Sequence, residues 1–292
     1  MQINKAKTGF KDRARHLKGV ALGKLGFCTH SAICKKGTGP EWLEIVNIDI
    51  PVNNLPDKLR GKRIVHLSDI HCSRTVSKKY LRRCIDRVNK LSPDIVVLTG
   101  DYVTHDIYGT HRQNAVKIIG ELTSRYGVYA CLGNHDYGPG SMIGRIHDNM
   151  LDNMISQMKD RGVRLLRNES CRVDIDGQSL WIVGLGDLWL ADFHPHKAFA
   201  DVPADQTTIA LVHNPEGIDH LGAFCADIVM AGHTHGTTVD MTLDPKKALR
   251  SRRFHAGLFD VDDKKLYVNR GLGRLGRTLF NARPEITVIT LK

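Results

Sequence analysis

Residues 64–71 decide the fold, because an apolar run, Ile64-Val-His-Leu67, stops abruptly at the polar segment Ser68-Asp69-Ile70-His71. The run has the length and the β-branched content of a buried strand. Asp69 and His71 are two positions apart, so in an extended backbone their side chains point to the same side. We therefore expect a strand that delivers a carboxylate and an imidazole to one place.

The same junction between an apolar run and metal-ligating side chains recurs four times further along the chain. The junctions are Gly100-Asp101, Gly133-Asn134-His135-Asp136, His213 and Gly232-His233-Thr234-His235. In open sheets built from βαβ units, functional side chains collect beyond the carboxyl ends of the strands. The donors are therefore expected at one edge, as a site for more than one divalent ion. They are Asp69, His71, Asp101, Asn134, His213, His233 and His235.

Between these junctions strand-like and helix-like segments alternate, which predicts βαβ units and an α/β fold. Amphipathic periodicity predicts helices over 80–91, 114–125 and 141–162. Apolar runs and alternation predict further strands over 42–50, 164–175, 180–184, 257–261, 265–268 and 285–291. Asp176-Gly177 is expected to form a hairpin turn, and His66, inside the first buried run, is expected to be a core residue rather than a ligand.

The composition is that of a soluble globular protein, with 41% hydrophobic and 25% charged residues in a chain of 292. No stretch approaches the roughly 18–20 apolar residues that span a bilayer, and the N-terminal segment lacks the pattern of a secretory signal. Seven scattered cysteines without a CxxC pair argue against a thiolate zinc site and a disulfide framework. We expect a cytoplasmic protein.

The sequence divides into a basic leader (1–36), a connector with a first strand (37–60) and one large domain (61–292). The leader holds nine Lys or Arg and one acid, which accounts for +8 of the formal net charge of +11. Apolar residues recur in it at near-helical spacing. It is interpreted either as a peripheral contact with the anionic inner face of the cytoplasmic membrane or as a solvated tail. Binding of nucleic acid is less supported, because the leader has no interleaved aromatic ladder.

In their order, the five junctions resemble the motifs of the calcineurin-like metallophosphoesterases, which are D-x-H, G-D, G-N-H-[DE], H and G-H-x-H. The resemblance covers the chain from residue 62 to the C-terminus. It implies a four-layer α-β-β-α sandwich of two mixed sheets flanked by helices. It also implies a cofactor of two divalent metal ions, Mn, Fe or Zn, of which Mn is expected to serve best in vitro.

The resemblance implies a role for each matched residue. One ion would be held by Asp69, His71, Asp101 and His235, and the other by Asp101, Asn134, His213 and His233, so that Asp101 bridges them. A hydroxide between the ions would attack phosphorus in line. His135 would protonate the leaving oxygen, and Asp136 would orient its imidazole.

A Gly-rich basic loop near the C-terminus is expected to contact substrate phosphates through Arg270, Arg274 and Arg277. This loop is similar to that of one branch of the family, the membrane-associated bacterial phosphoesterases. The branch includes enzymes that cleave the diphosphate of UDP-2,3-diacylglucosamine. Asp106 and Asp187, near the predicted edge, are interpreted as surface residues or as substrate contacts.

The sequence leaves three functional hypotheses. The first is a phosphohydrolase that cleaves a phosphodiester or pyrophosphate bond, with a lipid-linked nucleotide such as UDP-2,3-diacylglucosamine as a candidate substrate. The second is a nuclease of the same fold, which the excess positive charge permits, although most of that charge lies in the leader. The third is a scaffold that has lost its metals, and it is disfavoured because every motif position keeps a competent donor.

Overall fold

The computed structural model of the chain describes residues 42–104, 106, 108–138, 149–237, 253–273 and 282–292. The basic leader, Arg274 and Arg277 lie outside these residues, as does the first part of the helix predicted over 141–162. None of the helices in the described ranges is both long enough and apolar enough to span a membrane.

Six strands form the first sheet. Four of them, β2 to β5, are neighbours and run parallel to one another. In spatial order the sheet contains β1 (Glu44–Ile50), β12 (Glu285–Leu291), β2 (Arg63–Leu67), β3 (Ile95–Thr99), β4 (Val128–Cys131) and β5 (Val163–Leu165). The last strand of the chain is antiparallel to β2 and parallel to β1, which makes the sheet mixed.

Six further strands form the second sheet. In spatial order they are β10 (Gly257–Val261), β11 (Lys264–Val268), β9 (Ile228–Ala231), β8 (Thr208–Leu211), β7 (Gln178–Gly184) and β6 (Glu169–Ile175). The four inner strands are parallel, and the hairpins β6–β7 and β10–β11 close the two edges. The predicted turn at Asp176-Gly177 is confirmed, since both residues have positive φ between β6 and β7.

Helices cover the outer face of each sheet. They are α1 (Lys78–Lys90), α2 (Thr110–Ile119) and α3 (Asn149–Asp160) on the first sheet, and the short α4 (Pro195–Ala198) with a 3₁₀ helix (Pro215–His220) on the second. Helix α1 begins where the Ser77 hydroxyl accepts the Tyr80 N–H. It buries one apolar stripe, including Leu81 and Ile85, against the sheet.

Alternation along the strands divides the apolar side chains into three layers. In β2, Val65 and Leu67 pack toward the helices, whereas Ile64 packs between the sheets. Ile182 and Ile209 meet this inner layer from the second sheet. The result is the four-layer α-β-β-α sandwich that the family resemblance implies.

Two predicted elements differ from the structure. Residues 164–175 form two strands in different sheets rather than one, because the chain leaves the first sheet after Leu165 and Asn168 adopts a left-handed conformation, with φ of 55°. Helix α2 covers Thr110–Ile119 rather than 114–125, and it ends at Gly120. The position of such a break depends on the sheet that each segment joins. Hydrophobic periodicity along the sequence carries no information about that choice.

Candidate metal centre

The candidate ligands follow the carboxyl ends of five parallel strands, which are β2, β3 and β4 in the first sheet and β8 and β9 in the second. Five of the ligands have positive φ, namely Asp69, His71, Asp101, His233 and His235, with values of 47–70°. Residues other than glycine rarely adopt this region, and it costs on the order of 1 kcal/mol or more for each. The backbone therefore turns sharply just after β2, β3 and β9 and directs these five side chains into one space.

The first group of donors contains Asp69, His71 and His235, whose ligating atoms all lie within 4.8 Å of one another. The Nε2 atoms of the two histidines are 3.2 Å apart. Asp69 Oδ1 lies 3.7 Å from His71 Nε2 and 3.4 Å from His235 Nε2. Side chains that follow a strand of the first sheet and a strand of the second thus lie close enough together to bind one ion.

The second group contains Asp101, His213 and His233, also within 4.8 Å of one another. His213 Nε2 lies 3.2 Å from Asp101 Oδ2 and 3.2 Å from His233 Nδ1. The opposite ring nitrogen, His213 Nδ1, donates to the carbonyl oxygen of Thr99 at 2.7 Å. The donated hydrogen bond leaves the Nε2 lone pair directed at Asp101, where a cation would fit between them.

Asp101 lies between the two groups. Its Oδ2 atom is 3.6 Å from His71 Nε2 in the first group and 3.2 Å from His213 Nε2 in the second. Its Oδ1 atom accepts the backbone N–H of His135 at 2.9 Å. This is the position that the sequence predicts for a bridging carboxylate.

Asn134 is the seventh predicted donor, and it directly follows Gly133, which packs against Asp101. The glycine packs so closely that a Cβ there would lie 2.5 Å from Asp101 N. The buried Oδ1 of Asn134 and Oδ1 of Asp69 accept no hydrogen bond from the described residues. Buried polar atoms are normally paired, so these oxygens indicate that the space between the groups accommodates a cation.

Two carboxylates and one imidazole are held in the protonation states that bind a cation. Burial raises the pKa of Asp69 and of Asp101, but the neighbouring imidazoles outweigh it and hold both pKa values below the ordinary range. Burial lowers the pKa of His235 to about 4. Burial lowers the pKa of His213, but the charge of Asp101 and a hydrogen bond to it outweigh burial and raise that pKa well above the ordinary value, so a cation would have to displace a proton from this imidazole. Ionised carboxylates and neutral imidazole are the ligating forms, and this mixture of donors fits two divalent transition-metal ions.

His135 faces the same space without belonging to either group. Its Nε2 lies 4.0 Å from Asp101 Oδ2, and its side chain is 20% exposed. Its Nδ1 donates to the carbonyl oxygen of Thr104 at 2.7 Å. The Thr104 hydroxyl lies 3.2 Å from His71 Nδ1, so one residue fixes the orientation of two rings.

Asp136 does not orient the imidazole of His135, contrary to the expectation from the sequence. Its carboxylate accepts the backbone N–H groups of Asp101, Tyr102 and Gly133 at 2.8–2.9 Å. Burial, followed by the charge of Asp101, raises the pKa of Asp136 to about 7, while the amide donors lower it. Asp136 therefore positions the Asp101 backbone, and Thr104 takes the role that the sequence assigned to Asp136.

Arg270 is held by two carboxylates. Its guanidinium forms ion pairs with Glu285 and with Glu44, the latter at 2.7 Å, and its stem packs against Gly236 of the second sheet's motif. Because Glu285 is 2% exposed, the pair is structural. Arg270 thus joins the metal-site loops to β1 and β12, and its expected contact with substrate stays a prediction.

The sequence did not indicate the positions of several residues near the centre. Asp106 and Asp187 are buried, at 4% and 1% exposure, and are not surface residues. Trp189 is 56% exposed, and its ring centroid lies 4.2 Å from that of His233. The sequence signal for Trp189 was its position two residues after Asp187, a carboxylate that follows β7. His66 is confirmed as a core residue, with Nε2 2.9 Å from the Thr99 hydroxyl.

The chain is similar to several known proteins. The model of the calcineurin-like phosphoesterase family matches residues 62–237. The UDP-2,3-diacylglucosamine pyrophosphatase LpxG of Chlamydia trachomatis is 30% identical over 81% of this chain and 86% of its own length. The phosphodiesterase YaeI of Escherichia coli is 27% identical over 86% of this chain and 89% of its own. Among solved structures, TT1561 of Thermus thermophilus has a TM-score of 0.48 at 10% identity, covering 72% of this chain and 89% of that chain.

Proposed function

The chain belongs to the calcineurin-like phosphoesterase family and is a phosphoric ester hydrolase, and from this premise we propose that it cleaves a phosphodiester or pyrophosphate bond at the candidate metal centre. The observation that carries the proposal is the position of Asp101. One of its oxygens lies within 3.6 Å of an imidazole in each donor group. A carboxylate so placed can serve two cations at once.

Two divalent ions held by these groups would lower the pKa of a water molecule and neutralise charge on the phosphoryl oxygens. The chain's own residues hold and orient the reacting groups. Asp69 and Asp101 supply the negative charge that binds cations. His135, oriented through Nδ1 by Thr104, presents Nε2 to the centre. That nitrogen is the atom that would hold the proton for a leaving oxygen.

A nucleotide-linked diphosphate with a lipid portion is the substrate class that the relatives support best. The match to a UDP-2,3-diacylglucosamine pyrophosphatase extends over 86% of that protein, well beyond the metal ligands. A phosphodiester substrate is supported by the match to YaeI. Both classes contain the bond that the centre would cleave, a P–O bond at a phosphorus that carries two oxygen-linked groups.

The basic leader would hold the enzyme at the inner face of the cytoplasmic membrane, where amphiphilic substrates lie. Its net charge of +8 within 36 residues would attract anionic headgroups. Deletion of residues 1–36 should release the protein from vesicles that contain anionic lipid and leave hydrolysis of a soluble diester intact. Unchanged binding to these vesicles after the deletion would contradict this part of the proposal.

The reaction is tested with the full chain in Mn²⁺ on four substrates: an aryl phosphomonoester, bis(4-nitrophenyl) phosphate, UDP-2,3-diacylglucosamine and single-stranded DNA. We expect hydrolysis of the second and third. Preferential cleavage of DNA would instead establish the nuclease hypothesis.

Asp101→Asn should abolish turnover and reduce the bound metal measured by mass spectrometry. Asp57→Asn is the matched control, because the Asp57 side chain is fully exposed and its one ion pair with the described residues is with Arg60, at 3.9 Å. Normal turnover by Asp101→Asn would refute the bridging role.

A further inference from the structure

Trp189 is one of three large hydrophobic side chains that are exposed in the described part of the chain, and it is the one in contact with a candidate metal ligand. Its ring meets that of His233 at 89°, with the centroids 4.2 Å apart. More than half of the residue's surface, 56%, remains open. An indole in this place offers apolar surface at the rim of the centre.

The loop that carries Trp189, residues 186–194, is held at its tip by Asp187. One carboxylate oxygen of this buried residue accepts the backbone N–H groups of Trp189 and Leu190, at 2.9 and 3.1 Å. The Asp187 N–H in turn donates to the Tyr137 hydroxyl at 3.1 Å. These bonds fix the backbone from which the indole projects.

The two ends of the same loop are tied together by Asn168. Its Oδ1 accepts the N–H groups of Gly186 and His194 at 3.0 and 2.9 Å. Asp192 accepts hydrogen bonds at 2.6 Å from Tyr137 and from Arg167. An exposed side chain on a backbone with so many hydrogen bonds is preorganised, which lowers the entropy that a ligand must overcome.

We propose that Trp189 is a substrate-contacting residue that binds a planar ring in the organic group attached to the phosphorus, and so selects nucleotide or aryl substrates. This assignment rests on the proposed function, because it places the phosphorus at the metal centre beside His233. The indole face stacks favourably on any planar ring, since every nucleobase and aryl group presents a π face. A small alkyl ester group would not cover the indole and would gain little.

The test uses phosphonates, whose carbon–phosphorus bond is not hydrolysed, as probes of the Mn²⁺-loaded full chain. Calorimetric titration compares methylphosphonate, benzylphosphonate and hexylphosphonate on the natural protein and on Trp189→Ala. We expect the substitution to weaken benzylphosphonate by at least about 5-fold and to leave methylphosphonate within about 2-fold. Trp189→Phe should retain part of the affinity for benzylphosphonate, because it keeps a ring.

Kinetics provide a second readout. For bis(4-nitrophenyl) phosphate, Trp189→Ala should raise KM with little change in kcat, and the rise in KM should be smaller for methyl 4-nitrophenyl phosphate, which offers one planar ring instead of two. Trp181→Phe is the control, since Trp181 pairs with Thr208 at the start of β8, the end of the sheet away from the centre.

The outcomes separate the possibilities. Equal weakening of all three phosphonates would show that Trp189 only supports His233, and would overturn the proposal. A larger loss for hexylphosphonate than for benzylphosphonate would overturn the preference for a planar ring in favour of an acyl chain. If the natural protein neither binds methylphosphonate nor hydrolyses either ester, the proposed function itself fails, whatever Trp189 does.

Discussion

Replacing Gly133 by alanine tests whether the metal centre depends on close backbone packing, since this change removes no ligand. A Cβ at this position would lie 2.5 Å from Asp101 N and 2.9 Å from Asp101 Cγ, and closer still to Asp101 Oδ1. Ordinary van der Waals contact begins at 3.4 Å, so the overlap is 0.5–0.9 Å or more. The atoms in the way belong to a backbone and to a buried carboxylate, neither of which can rotate aside.

The expected consequence is a displacement of Asp101 by about 1 Å. A misplacement of that size can cost on the order of 100-fold in rate, and overpacking of this kind costs about 1–3 kcal/mol in stability. We therefore expect Gly133→Ala to lose about 100-fold in kcat/KM for bis(4-nitrophenyl) phosphate in Mn²⁺ and to bind less metal. A chain that melts a few degrees lower but still cooperatively would show that the fold survives.

Gly222→Ala provides the matched control, because no atom lies within 4 Å of its added Cβ and its φ is not positive. The control should match the natural protein in metal content and rate. The reasoning is wrong if Gly133→Ala keeps both its metal and its rate within about 2-fold of the natural protein. In that case the loops after β3 and β4 would be more adaptable than their packing indicates.

Three other predictions concern single side chains. His135→Ala should retain metal but slow hydrolysis, and the loss should be smaller for nitrophenyl than for alkyl leaving groups; rates that fall equally for both would exclude proton donation by His135. Burial lowers the pKa of His66 to about 3. The unfolded protein therefore takes up a proton on His66 that the folded protein does not, and the free energy of unfolding falls as pH drops below about 6.5. Urea denaturation of metal-free protein at pH 7 and pH 5 should show a pH-dependent loss that is about 2 kcal/mol smaller in His66→Gln than in the natural protein. Arg270→Met should destabilise the fold by about 3 kcal/mol, because it leaves the buried Glu285 without its ionic partner. The control Arg82→Met breaks an exposed pair with Glu121 and should cost less than about 1 kcal/mol in the same denaturation assay.

The α/β class and the ligands could be predicted because five strands change abruptly from apolar to metal-ligating residues at their carboxyl ends, and the four-layer sandwich followed from the family that these motifs resemble. Residues 95–101 illustrate the point: the five residues of β3 are fully buried, and Asp101 follows two positions later. Such a change is local, so the sequence displays it. The convergence of the ends follows from the general behaviour of parallel strands.

The partners of individual side chains could not be predicted in the same way. Asp136 is adjacent to His135 in sequence, yet its carboxylate turns to the amides of Asp101 and Tyr102. Thr104 orients the His135 ring, although no sequence motif marks it. These contacts depend on how closely the loops after β3 and β4 approach, and that approach is set by the glycines at 100 and 133.

The distribution of ligands between the two sheets has a consequence for folding. Each donor group draws on both sheets, since Asp69, His71 and Asp101 follow strands of the first, whereas His213, His233 and His235 follow strands of the second. An ion bound to either group would join the halves of the sandwich and would bind the native chain in preference to the unfolded one. The melting temperature should then rise with the concentration of free metal, and a chelator should act on this protein as a mild denaturant.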